Sequence, residues 1–229
     1  AGPPTARVLP TIRAVASSPA PLLLAGIFAS YTAQFLSVFG FLPTLLASHY
    51  HLGTGTATVL SAVAVTANIP GNTLGGALRG KGAPRWAVIS TASIVMAIAE
   101  IVIYTPGPAL NIRYGACVLL ALAGGTIPAT LISSAPDFAP RPNTVAATMG
   151  ALIQGSALGQ TLGPPTLAAL AAAVGGWQAS PVMLGAAAAI AISLSIAVRR
   201  IEYRSHHTAN RKQRPLPPLI GPRVWTSER

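Results

Sequence analysis

From Pro21 onward the chain is a series of long apolar runs separated by short polar gaps. A helix needs about 20 apolar residues to cross the hydrocarbon core, because each residue rises about 1.5 Å and the backbone must satisfy its own hydrogen bonds there. The pattern predicts six such spans, at Leu22 to Leu46, Ala57 to Leu78, Trp86 to Tyr104, Tyr114 to Ser133, Val145 to Leu170 and Pro181 to Val198. The gaps carry turn formers, such as Gly80, Gly82 and Pro84 after the second span and Pro106, Gly107 and Pro108 after the third. Trp86, Tyr104, Tyr114 and Trp177 fall near span ends, where an amphipathic ring rests at headgroup level. The first span is too long and too far from Ala1 for a cleavable signal, and more spans follow it.

Composition agrees, since 8% of the residues are charged, where a soluble domain carries about a quarter. The formal charge of +11 would fit a nucleic-acid binder only if the basic residues formed a face. Instead they sit in the gaps and in the last thirty positions. Of the 15 Lys and Arg, all but Arg113 fall on one side of the predicted membrane, including Arg13, Arg79, Lys81, Arg85 and Arg141. The positive-inside tendency makes that side cytoplasmic and puts both termini there. The expected organisation is a cytoplasmic N-terminal segment (1–21, the end of a central loop), a six-span domain (22–198) and a basic, Pro-containing disordered tail (199–229). The expected location is the cell (plasma or inner) membrane.

Polar side chains at mid-depth are the site candidates, because hydrocarbon offers them no partners and a cavity does. These are Tyr31 and Gln34 on span one, Thr66 and Asn68 on span two, Thr126 on span four and Gln154 on span five. Plain interhelical hydrogen bonding is the competing role for each. Glu100 is the one ionisable residue inside a span and the candidate coupling carboxylate; one turn from Tyr104, it is expected near the outer surface, within reach of water. Gly155, Gly159 and Gly163 recur every four residues on span five, a stripe that admits a close neighbouring helix, and Pro164 and Pro165 after it are expected to kink the span. Asn68 to Asn72, with Pro70 and Gly71, marks a second bend. The lone Cys117 permits no internal disulfide, and the His pairs lack companions at metal-ligand spacing, so no metal or cofactor is expected.

Between spans two and three, the stretch from Gly75 through Arg79 and Gly82 to Arg85 resembles the G-x-L-A-D-R-x-G-R-R loop of the major facilitator superfamily, with Arg79 where the motif has Asp. Gly155, Gly159, Gly163 and Pro164 resemble the glycine and proline pattern of that family's fifth and eleventh helices. The resemblance covers roughly Pro21 to Arg200 and implies an all-α integral membrane six-helix bundle, the C-terminal half of such a transporter, in a branch similar to cyanate permeases. It further implies that spans one, two, four and five line a solute cavity and that two halves rock in alternating access. The implied partners are the lipid bilayer, a small-molecule solute and an N-terminal six-helix half.

Two other classes compete with a transporter. An intramembrane enzyme needs a nucleophile with a base, or an acid pair, at membrane depth, and no span contains His, Lys, Asp or a second Glu. A truncated or non-transporting six-helix scaffold remains the alternative to transport, because one bundle supplies only one wall of a cavity.

Overall fold

The computed structural model describes the backbone of residues 5–212 and the side chains of residues 9–203. Its helices are α1 (Thr5–Ala16), α2 (Pro19–Tyr50), α3 (Thr54–Thr66), α4 (Asn68–Gly80), α5 (Arg85–Tyr104), α6 (Leu110–Phe138), α7 (Val145–Val174) and α8 (Ser180–Lys212), with short 3-10 turns at Pro142–Thr144 and Trp177–Ala179. There is no strand among the described residues.

Four stretches are long and apolar enough to cross a membrane by length and composition: Pro19–Tyr50, Arg85–Tyr104, Leu110–Phe138 and Trp177–Tyr203. The other two expected spans differ in instructive ways. The second is divided into α3 and α4, each of 13 residues, which meet at Ala67. There the ladder tightens, with the Ala67 N–H donating to Ala64, and Pro70 has no N–H to give the Thr66 carbonyl. The interruption lies at Ala67, one residue before the Asn68 to Asn72 stretch where the sequence marks a bend. The fifth, α7, is long enough, but its glycines and glutamines dilute its apolar content. It runs unbroken through Pro164 and Pro165, both inside the span that the sequence predicts. Each removes one backbone bond, a loss tolerated inside a bundle.

At the chain ends α1 covers Thr5–Ala16 and α8 continues to Lys212; of the segment expected to be a disordered tail, residues 213–229 lie outside the described part.

Close helix contacts fix the direction of each pass. Gly155, Gly159 and Gly163 of α7 meet Ala25, Ala29 and Ala33 of α2 in turn, so the two helices run parallel. A Cβ on Gly75 would stand 2.7 Å from the Thr126 carbonyl oxygen, and Gly71 meets Leu122, so α4 and α6 are parallel as well. Ser90 and Ser195 share a 2.7 Å hydrogen bond while Arg85 pairs with Glu202, which makes α5 and α8 antiparallel. These relations are those of a chain that reverses at every loop. The pairing repeats: α2 packs on α7 as α6 packs on α4, and α8 on α2 as α6 on α5, a three-plus-three arrangement.

In the core α2 is the central helix, with Leu24, Ile27, Leu42 and Leu46 all buried. Outward faces are apolar: Val63, Ile98, Leu158, Leu162 and Ile190 are exposed, a surface suited to lipid rather than water.

Candidate functional site

The break between α3 and α4 places Asn68 halfway along the bundle, where its side chain spans three helices. Asn68 Nδ2 donates to Tyr31 Oη on α2 at 3.2 Å and to the Ala121 carbonyl on α6 at 3.3 Å. Asn72, one turn on, donates to Asn68 Oδ1 at 2.8 Å and to the Asn68 carbonyl at 2.9 Å. Gly124 leaves room for this, since a Cβ there would stand 3.0 Å from the Tyr31 ring. From Tyr31 a ladder of rings climbs α2, with centroids 5.5 Å apart to Phe35 and 4.7 Å from Phe35 to Phe39.

One turn from Tyr31, Gln34 is 1% exposed. Its Nε2 donates to the Ser30 carbonyl at 2.9 Å, while its Oε1 and the Ser37 hydroxyl have no hydrogen-bond partner within the protein. A buried polar atom left unpaired costs about 1–3 kcal/mol. The grouping is uncharged and can both donate and accept.

The remaining cavity candidates do not join it. Thr66 is exposed and its hydroxyl donates to its own helix at Val63. Thr126 donates to the Ala123 carbonyl and lines an apolar groove of about 370 Å³ with Leu74, Val88 and Leu122. Gln154 is exposed in a groove of about 400 Å³ between α1 and α7, beside Ile12 and Ala147. Asn72 was missed as a polar partner, although its spacing of four from Asn68 was visible in the sequence. The stripe of Gly155, Gly159 and Gly163, with Pro164 beyond it, is taken up by packing against α2.

The two ends of the bundle differ in charge. At one end Arg85 pairs with Asp137 of α6 and Glu202 of α8, donates to Ser134 Oγ at 2.8 Å, and lies over the Phe138 ring. Arg79 donates to the Ala83 carbonyl across the turn at Gly82, whose φ of 81° favours glycine. Burial foremost, then the like charge of Arg85, lowers the Arg79 pKa from its ordinary value, and Glu202 and Asp137 oppose the shift. Gly75 does not belong to this turn in space; it sits against α6. At the opposite end lie Tyr50, Arg113 and Trp177, with the Trp177 ring against Phe41 and Tyr104. Glu100 is near this end, but it is 0% exposed, which corrects the expectation that it reaches water. The cause is packing, as α5 is flanked by both α6 and α8.

The family model described as Major Facilitator Superfamily matches residues 5–228. Among the curated proteins there is no match.

Proposed function

We propose, for a chain that belongs to the Major Facilitator Superfamily, that it carries a small solute by alternating access with Tyr31, Gln34 and Asn68 on the wall of the solute path. Family and long apolar helices together make the chain a multi-pass membrane transporter of the cell membrane. The finer reading is supported chiefly by Asn68, a side chain at a helix interruption that ties α4 to α2 and α6 at mid-depth. Interrupted helices supply transporter sites because their irregular backbone is tolerated only where it faces protein or a cavity. The unpaired oxygen of Gln34, one turn from Tyr31 on α2, adds an acceptor for a solute donor.

Six alternating passes leave one wall of the path to this bundle and the other to a second six-helix bundle, and keep both termini on the side of the Arg85 cluster; the cationic loops of that side support its being cytoplasmic. The reading gives the chain no catalytic step. The test is uptake of a panel of small polar solutes into proteoliposomes, with and without a co-expressed N-terminal six-helix bundle. Uptake that is lost in Asn68→Leu, with assembly intact, is expected; full uptake by that variant would remove Asn68 from the path, and no uptake by any combination would favour a scaffold.

A further inference from the structure

At the cationic end of the bundle, beside the turn that joins α4 to α5, Arg79, Pro84, Arg85, Trp86, Arg199 and Glu202 line a cleft of about 400 Å³. Three guanidinium groups thus share it with one carboxylate. That carboxylate is already engaged: both ion pairs among the described residues belong to Arg85, one with Asp137 and one with Glu202. Arg79 and Arg199 make none. Arg79 donates from Nη1 to the Ala83 carbonyl, but its Nε is buried without a partner. Arg199 lies over the Trp86 ring, 4.6 Å from its centroid, a face contact that uses none of its N–H donors. Burial first, and then the like charge of Arg85, disfavours the Arg79 cation, and an anion in the cleft would offset both.

The apolar groove of about 370 Å³ adjoins this cleft. α4 and α5 each pack on α6 but barely touch one another, and the groove is the furrow left between them. Leu78 and Ala87 line the furrow while their chain neighbours Arg79 and Trp86 line the cleft, so the two openings meet at the turn. From Ala87 to Val95 the furrow follows α5 for about 12 Å. Leu119 on its α6 side is exposed, as are Ile94 and Ile98 on α5, so this face looks onto lipid. We propose that the cleft binds the phosphate of an anionic phospholipid, held by Arg79 and Arg199, with an acyl chain of the same lipid in the groove. Guanidinium groups meet phosphate oxygens in paired, charge-assisted hydrogen bonds, and Trp86 is a ring of the kind that rests at headgroup level. The occupant is a lipid rather than free phosphate because the cleft opens onto a furrow that hydrocarbon fills and phosphate does not. The site does not depend on whether the chain carries a solute.

The test is fluorescence of the full chain in phosphatidylcholine vesicles, with Trp177→Phe and Trp225→Phe leaving Trp86 as the one tryptophan. Phosphatidylglycerol or phosphatidylcholine with brominated acyl chains is added in rising mole fraction, because bromine quenches an indole that it touches. Brominated phosphatidylglycerol is expected to quench Trp86 at a mole fraction about tenfold lower than brominated phosphatidylcholine, and Arg79→Gln and Arg199→Gln should each cut that preference about fivefold, the effect of one basic group near anionic lipid. Arg200→Gln, next in sequence but outside the cleft, should leave the preference intact. Arg199 is exposed, so its variant decides the outcome if Arg79→Gln disturbs the turn. Equal quenching by the two lipids, or a preference unmoved in Arg199→Gln, would overturn the proposal. So would an equal loss in Arg200→Gln, which would report diffuse surface charge. Loss of the preference in inorganic phosphate, but not in sodium chloride of the same ionic strength, would assign the cleft to free phosphate and overturn the lipid.

Discussion

Gly163 of α7 lies so near Ala33 of α2 that a Cβ built on the glycine would stand 2.6 Å from the alanine α-carbon. Gly155 and Gly159 repeat the contact against Ala25 and Ala29, and no side chain separates the two backbones. Within a bilayer, where burying apolar surface gives little drive between helices, this approach holds α2 against α7. Gly163→Ala is therefore expected to cost about 1–3 kcal/mol, the usual range for overpacking. Gly150→Ala, on the same helix with nothing within 4 Å of its added methyl, should cost nothing. Thermal unfolding of the two variants in detergent checks the contrast.

The Arg85 cluster allows a second comparison. Arg85 pairs with Asp137, whose side chain is 60% exposed, and with Glu202, at 18%. Water and salt screen the first pair, so Asp137→Asn is expected to cost under about 1 kcal/mol. Glu202→Gln removes a more sheltered partner of a charged hydrogen bond and should cost about 1.5–3 kcal/mol. Denaturation at low and high salt reads the difference, and the Asp137 effect should be the one that salt erases.

At mid-depth the variants should rank by how many bonds they break. Tyr31→Phe loses one hydrogen bond of 3.2 Å, while Asn68→Leu loses those to Tyr31 and Ala121 and the one accepted from Asn72. Uptake is expected to fall tenfold or more in Asn68→Leu, about 1.4 kcal/mol in the rate-limiting step, and less in Tyr31→Phe. Gln154→Leu, exposed and away from the cluster, should leave uptake unchanged.

Much of the architecture was legible because apolar length and turn residues follow from local chemistry. The runs around Leu24, Met96, Leu120 and Ala191 became helices, and the glycine stripe found its neighbour. Which of the polar residues meet was not legible, since it depends on helix rotation and on contacts distant in sequence. Thr66 and Asn68 are two positions apart, yet one faces outward and the other bridges Tyr31 and Ala121. Glu100 was misjudged for a similar reason. Its proximity to Tyr104 in sequence suggested the interface, but coverage by α6 and α8 is a tertiary property. The role of Gly71 and Gly75 as the α4 contact with α6 was hidden in a stretch that reads as bend and loop.

Directional packing rests on six alternating passes, and thiol labelling tests that most directly. In a Cys117→Ala background, single substitutions His51→Cys and Pro106→Cys, at one end, are compared with Lys81→Cys and Arg141→Cys at the other, in intact cells with a membrane-impermeant reagent. The first two should label from outside and the second two only after the membrane is opened. Labelling of His51→Cys and Lys81→Cys from the same side would contradict the threading and, with it, the solute path drawn through Asn68.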